Sequence, residues 1–194
     1  MIKRARFLYR WLGLLFWLFI PNIVSGLMTN DTVMKSDSDI YWIGQILDLI
    51  CTILHGLILI RLSSEEARYR TAGICILIVA AVTVLDLVFP EGTGTFPAAA
   101  LVALVVALVG MYYEYKAHSS VLADIYEELS KKWMILWKWS LGIMIALFCF
   151  MILTLIVPDV GLIGLLLATI ALAVVSIVQL VFLYRTADTF KTFL

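Results

Sequence analysis

Six long apolar runs, separated by short polar links, constrain the fold of this chain more than any other feature. The runs cover approximately residues 7–28, 40–61, 70–89, 96–113, 134–157 and 160–184. About 20 helical residues cross the hydrocarbon core of a bilayer, which is about 30 Å thick. The runs are much longer than a barrel strand of roughly 10 residues, and they do not alternate in polarity. The sequence therefore predicts an all-α, polytopic integral membrane bundle of six transmembrane helices, forming one membrane domain over residues 1–194.

The composition argues against an ordinary soluble domain. Of the 194 residues, 63% are hydrophobic and 14% are charged, whereas a soluble domain is about half apolar and about a quarter charged. A soluble fold of this length has too high a surface-to-volume ratio to hide so much apolar surface. The formal net charge is zero, so the charges indicate no nucleic-acid partner. We expect the lipid bilayer to be the main partner of the chain.

The basic residues predict the orientation of the spans. All of them except Lys35 fall beside the chain ends, the second link and the fourth link. Because cytoplasmic segments of membrane proteins are rich in lysine and arginine, both termini are predicted to be cytoplasmic, in a plasma membrane. The alternative is that residues 1–26 are a cleaved signal peptide, which would leave five spans.

A stripe of polar side chains runs along the second span. Its members recur at steps of three and four residues, and they are Tyr41, Gln45, Asp48, Thr52 and His55. Positions with this spacing share one face of a helix. A charge near the bilayer centre costs at least about 2.5–3.5 kcal/mol, so the stripe is predicted to face protein or a wet cavity. Three residues of other spans are predicted to extend this polar lining: Asp86, Ser176 and Gln179.

Two interpretations of the stripe remain open. In the first, Asp48 is a proton or cation site and His55 relays the proton, as ionisable residues within membrane spans often do. In the second, the side chains hold helices together by interhelical hydrogen bonds, worth about 0.6 kcal/mol each on average. Matching of depth suggests partners for Asp48 on three other spans: Thr83, Cys149 and Thr169.

Two further features favour an alternative function as a non-catalytic membrane subunit or sensor. The fourth span carries small residues on nearly one side, namely Ala99, Ala103, Ala107 and Gly110. Such a face packs helices closely, either within the bundle or against a membrane partner. Residues 119–133 are predicted to form an amphipathic helix on the cytoplasmic surface, which is suited to a soluble partner protein.

An intramembrane enzyme is the least favoured class of function. The two histidines and the three cysteines do not have the spacing of a zinc site. No nucleotide-binding or nucleophile motif is present. We therefore assign no catalytic residue, no metal ligand and no cofactor, and we expect Cys51, Cys75 and Cys149 to act as small packing residues.

Overall fold

A computed structural model of the protein describes residues 2–29, 39–88 and 96–193, without the side chains of residues 27, 86, 87, 96–98 and 100. The described residues form six helices: α1 (Ile2–Met28), α2 (Asp39–Leu62), α3 (Arg68–Val88), α4 (Phe96–Leu122), α5 (Glu127–Ile156) and α6 (Pro158–Lys191).

The all-α prediction is confirmed. Over the described residues, five helices are long and apolar enough to cross a membrane, namely α1, α2, α3, α5 and α6. The fourth predicted span lies in α4, which has 27 residues. The side on which the termini lie and the identity of the membrane remain predictions.

The six helices are arranged as a closed ring. Each helix packs against the next helix in the chain, and α1 packs against α6. Short links make consecutive helices antiparallel. The buried core lies at one end of the ring, where α1, α3 and α5 begin and α2, α4 and α6 end. Its largest members include Leu12, Leu59, Tyr69, Tyr115 and Trp133.

Glycines set the close approach of α2, α3 and α4. A Cβ atom on Gly73 would lie 2.7 Å from the carbonyl oxygen of Gly56, so the backbones of α2 and α3 touch here. A Cβ atom on Gly110 would lie 2.9 Å from the Cβ atom of Cys75 and 3.6 Å from the carbonyl oxygen of Ala72, so α4 packs closely on α3 at this point. Small residues permit this packing, which in lipid replaces the hydrophobic drive.

The predicted surface helix over residues 119–133 is not a separate element. Residues 119–122 end α4, residues 123–126 form a turn, and α5 begins at Glu127. The apolar face that was expected to lie on the membrane is largely buried in the core, at Val121, Leu122, Leu129 and Trp133. These side chains find partners inside the ring, and the segment is divided between α4, a turn and α5.

Candidate functional site

A buried carboxylate lies between two histidines inside the ring. Glu114 of α4 is 4% exposed. Its Oε1 atom lies 3.1 Å from Nε2 of His55 on α2 and 3.6 Å from Nε2 of His118, one turn further along α4. An ionised carboxylate only accepts hydrogen bonds, so the Nε2–H group of His55 donates to it. The three side chains form one cluster, which we call the His–Glu–His cluster.

Tyr69 of α3 extends the cluster on the side of His118. Its hydroxyl lies 2.8 Å from Nδ1 of His118, and both side chains are fully buried. When Nε2 of His118 carries its proton towards Glu114, Nδ1 is free to accept from the tyrosine hydroxyl. The hydroxyl of Tyr69, the imidazole of His118 and the carboxylate of Glu114 therefore form a buried chain. It runs from α3 through α4 to His55 of α2.

Aromatic rings enclose His118. Trp133 of α5 stacks on its ring with centroids 4.5 Å apart and an interplanar angle of 29°. The Nε1–H group of Trp133 donates to Oγ1 of Thr186 on α6 at 3.1 Å, which fixes the indole in place. The stacked indole therefore holds the plane of the His118 imidazole between α4 and α5.

A second hydrogen bond crosses the ring near the cluster. The hydroxyl of Tyr115, the residue after Glu114, donates to Oε1 of Gln179 on α6 at 2.9 Å. Gln179 was predicted to lie at the depth of His55. In the structure it bonds the residue next to Glu114 and is not itself a member of the His–Glu–His cluster. In the described part of the chain, no buried side-chain nitrogen or oxygen lacks a hydrogen-bond partner. The buried polar side chains of this part of the chain therefore all take part in hydrogen bonds.

His55 borders a cavity of about 190 Å³ between α1 and α2. The cavity is lined by Leu15, Leu18, Phe19, Asn22, Cys51 and His55. A water molecule takes up about 30 Å³, so the space is large enough for a few waters beside the imidazole. The side chain of His55 is 22% exposed, whereas those of Glu114 and His118 are 5% and 1% exposed. His55 is therefore the more accessible end of the cluster.

Asp48 lies beside α1. Oδ1 of Asp48 lies 3.3 Å from the hydroxyl of the buried Ser25, which also donates to the carbonyl oxygen of Asn22 at 2.7 Å. The hydroxyls of Thr83 and Thr169 bond carbonyl oxygens of their own helices, and Cys149 is exposed. Ser25 is not among the partners that the sequence predicts for Asp48.

The structure does not bring the remaining predicted lining residues into the His–Glu–His cluster. Gln45 donates to the hydroxyl of Tyr41 within α2 at 3.2 Å, and Thr52 is half-buried. Ser176 lies on an exposed face of α6 and donates to its own helix at Leu172. The side chain of Asp86 lies outside the described residues.

The predicted small-residue face is only partly turned inwards. Gly110 is buried and packs against Cys75 of α3. Ala99, Ala103 and Ala107 are half-buried. Gly110 therefore takes part in an internal helix contact, and the three alanines keep part of their surface free.

Sequence reasoning missed Glu114, His118 and Tyr69 as functional residues. The predicted fourth span ends at residue 113, where charged residues appear, although α4 continues to Leu122. The signal was the spacing of Glu114 and His118, which places an acid and an imidazole on one helix face. Among the residues that the structure describes, no group of His, Cys, Asp and Glu is arranged to hold a metal ion.

No protein-family model matches the chain, and neither a curated protein nor a solved structure shows significant similarity to it.

Proposed function

We propose that this multi-pass membrane protein is a small transport or ion-handling protein that binds and passes protons at the His–Glu–His cluster. The observation that carries the proposal is the buried carboxylate of Glu114 between the imidazoles of His55 and His118. Ionisable side chains inside a membrane bundle are costly, and they commonly mark proton relays. Histidine suits this role because its proton exchanges near neutral pH.

The charges of the cluster favour a single shared proton. With both imidazoles neutral, the ionised carboxylate is a buried net charge of −1, which is expensive in a low-dielectric interior. One added proton makes the group neutral, whereas a second makes it positive. The cluster is therefore suited to hold one extra proton and to pass it between His55 and His118 by way of Glu114.

The geometry suggests the direction of entry. A proton reaches His55 from the neighbouring cavity and moves by way of Glu114 to His118, whose other ring nitrogen is held by a hydrogen bond with the hydroxyl of Tyr69. Asp48 lies about 10 Å from His55 along α2, at seven residues and 1.5 Å per residue. In this proposal Asp48 and Ser25 form the outer polar contact of the same route.

Proton flux into proteoliposomes tests the proposal. A pH-sensitive dye inside the vesicles reports entry of protons after the external buffer is acidified, with a potassium gradient and valinomycin compensating charge. We expect Glu114→Gln to slow the protein-dependent flux about a hundredfold, the size of effect usual for loss of a proton-transferring group. Glutamine keeps the shape of the side chain and removes its ionisable oxygen.

Glu128→Gln is the matched control. Glu128 is an exposed acid that pairs with Lys132 in the first turns of α5, outside the cluster. Its flux should equal that of the unchanged protein. A Glu114→Gln protein that folds and conducts at the unchanged rate contradicts the proposal.

A second candidate function is a non-catalytic subunit or sensor that binds partner proteins. The partial exposure of Ala99, Ala103 and Ala107 supports it, because small residues accept a partner helix closely. A partner protein should copurify in constant ratio after mild solubilisation and be lost from Ala103→Leu. A chain that purifies alone contradicts this function.

A further inference from the structure

The outer surface of α5 carries two apolar troughs on either side of Trp139. The first is a cavity of about 590 Å³ between α5 and α6. It is lined by Lys132, Ile135, Leu136, Trp139, Ile143, Ala171, Val174, Val175, Val178 and Phe182. Nine of these ten side chains are apolar, and together they make a channel suited to a hydrocarbon chain.

The second trough, of about 450 Å³, lies on the other side of the same tryptophan. It is lined by Ile135, Lys138, Trp139, Gly142, Ile143 and Ala146. A Cβ atom on Gly142 would have no other atom within 4 Å, so the surface is open at this point. Ile135, Trp139 and Ile143 belong to both troughs. They form a ridge along α5, with Trp139 64% exposed at its middle.

Each trough contains one lysine. Lys132 belongs to the first and donates to Glu128 at 2.5 Å. Lys138 belongs to the second, is exposed, and has no ion-pair partner among the described residues. It lies about 9 Å further along the helix than Lys132, at 1.5 Å per residue. Lysine packs its stem on apolar side chains and extends its ammonium group towards the headgroup region, where lipid phosphates lie.

We infer that α5 binds an anionic glycerophospholipid, with one acyl chain on each side of Trp139 and the phosphate at Lys138. Two apolar troughs that meet at one tryptophan match a ligand with two chains, and the lysine matches its charge. The inference does not depend on the proposed proton function.

Native mass spectrometry of the protein tests the inference. The protein is released from detergent that contains equal amounts of phosphatidylglycerol and phosphatidylcholine, and the lipid retained on the monomer is counted. We expect the unchanged protein to retain phosphatidylglycerol in preference. Lys138→Gln should reduce that preference about fivefold, the effect of one lysine on binding to an anionic lipid surface.

Lys131→Gln is the matched control, because Lys131 is exposed, pairs with Glu127 and lies in neither trough. A second variant, Ala171→Phe, fills the first trough from α6 and should lower retention of both lipids. Equal preference in Lys138→Gln and Lys131→Gln overturns the inference. A lipid-free dimer that Trp139→Ala dissociates also overturns it, since the surface would then belong to a second copy.

Discussion

Glu114 of α4 and His55 of α2 meet across the ring with their side-chain atoms 3.1 Å apart. The two residues are 59 positions apart in the chain, and α3 lies between their helices in the order of the ring. This hydrogen bond joins two helices that are not neighbours in the ring, and it spans the interior of the ring. It also gives the buried carboxylate the partner without which its burial would be strongly unfavourable.

This bond should appear as an interaction energy between the two side chains. We expect His55→Ala and Glu114→Ala each to lower the free energy of unfolding, and the double variant to lose less than the sum. The coupling should be about 1–2 kcal/mol, because the partner left by each single change is buried and unsatisfied. Unfolding in mixed micelles with added dodecyl sulfate measures it. Strict additivity of the two changes contradicts the contact.

Removal of the Tyr69 hydroxyl should affect proton movement more than folding. Tyr69→Phe keeps the ring against His118 but leaves Nδ1 without its donor. We expect a loss of about 1 kcal/mol of stability, as for a single hydrogen bond, together with clearly slower flux into proteoliposomes. Tyr112→Phe is the control, because Tyr112 bonds Lys116 outside the cluster. Equal flux in both variants would place Tyr69 outside the route.

The contact between α2 and α3 should not tolerate one added methyl group. Gly73→Ala places its Cβ atom 2.7 Å from a backbone oxygen of Gly56, which cannot move independently of its helix. We expect a loss of about 1–3 kcal/mol, as for other overpacked sites. Gly13→Ala is the control, since no atom lies within 4 Å of its added methyl group and alanine favours helix. Thermal unfolding midpoints that agree between the two variants would contradict the close approach.

Both chain ends should react from the same side of the membrane. Residues near the two ends, Tyr9 and Arg10 of α1 and Asp188 and Lys191 of α6, line one cavity, so the ends lie together. In a cysteine-free background, Lys3→Cys and Thr192→Cys should both react with an impermeant maleimide in inverted vesicles, and neither should react in intact cells. Labelling of the two positions from opposite sides contradicts the six-helix ring.

The helices follow from the sequence because their apolar runs and breaks are local signals. Helix α5 ends at Ile156 and Pro158 begins α6, since proline suits the first turn of a helix and cannot continue the preceding one. The sequence predicts an end of the fourth span at residue 113, because a charged residue usually marks the end of a span. In the structure α4 continues past this point, because the carboxylate of Glu114 is paired with two imidazoles inside the ring.

The site was predictable only in part, because pairing between helices is not a local property. The steps of three and four residues indicate the stripe of α2, and His55 does lie inside the ring. The partner of His55 depends on which helix stands opposite, and this is set by glycine contacts at Gly56, Gly73 and Gly110. Ser176 shows the opposite outcome. Its depth matches that of His55, but the orientation of α6 about its own axis places the side chain on an exposed face.

Solid-state NMR of the ring nitrogens of His55 and His118, in bilayers and with labelled histidine, is the most direct test of the His–Glu–His cluster. We expect Glu114→Gln to shift the Nε2 signals of both histidines, because the substitution removes the carboxylate that lies beside both rings. If neither histidine responds to the substitution, the cluster does not surround Glu114, and the proposed function is wrong.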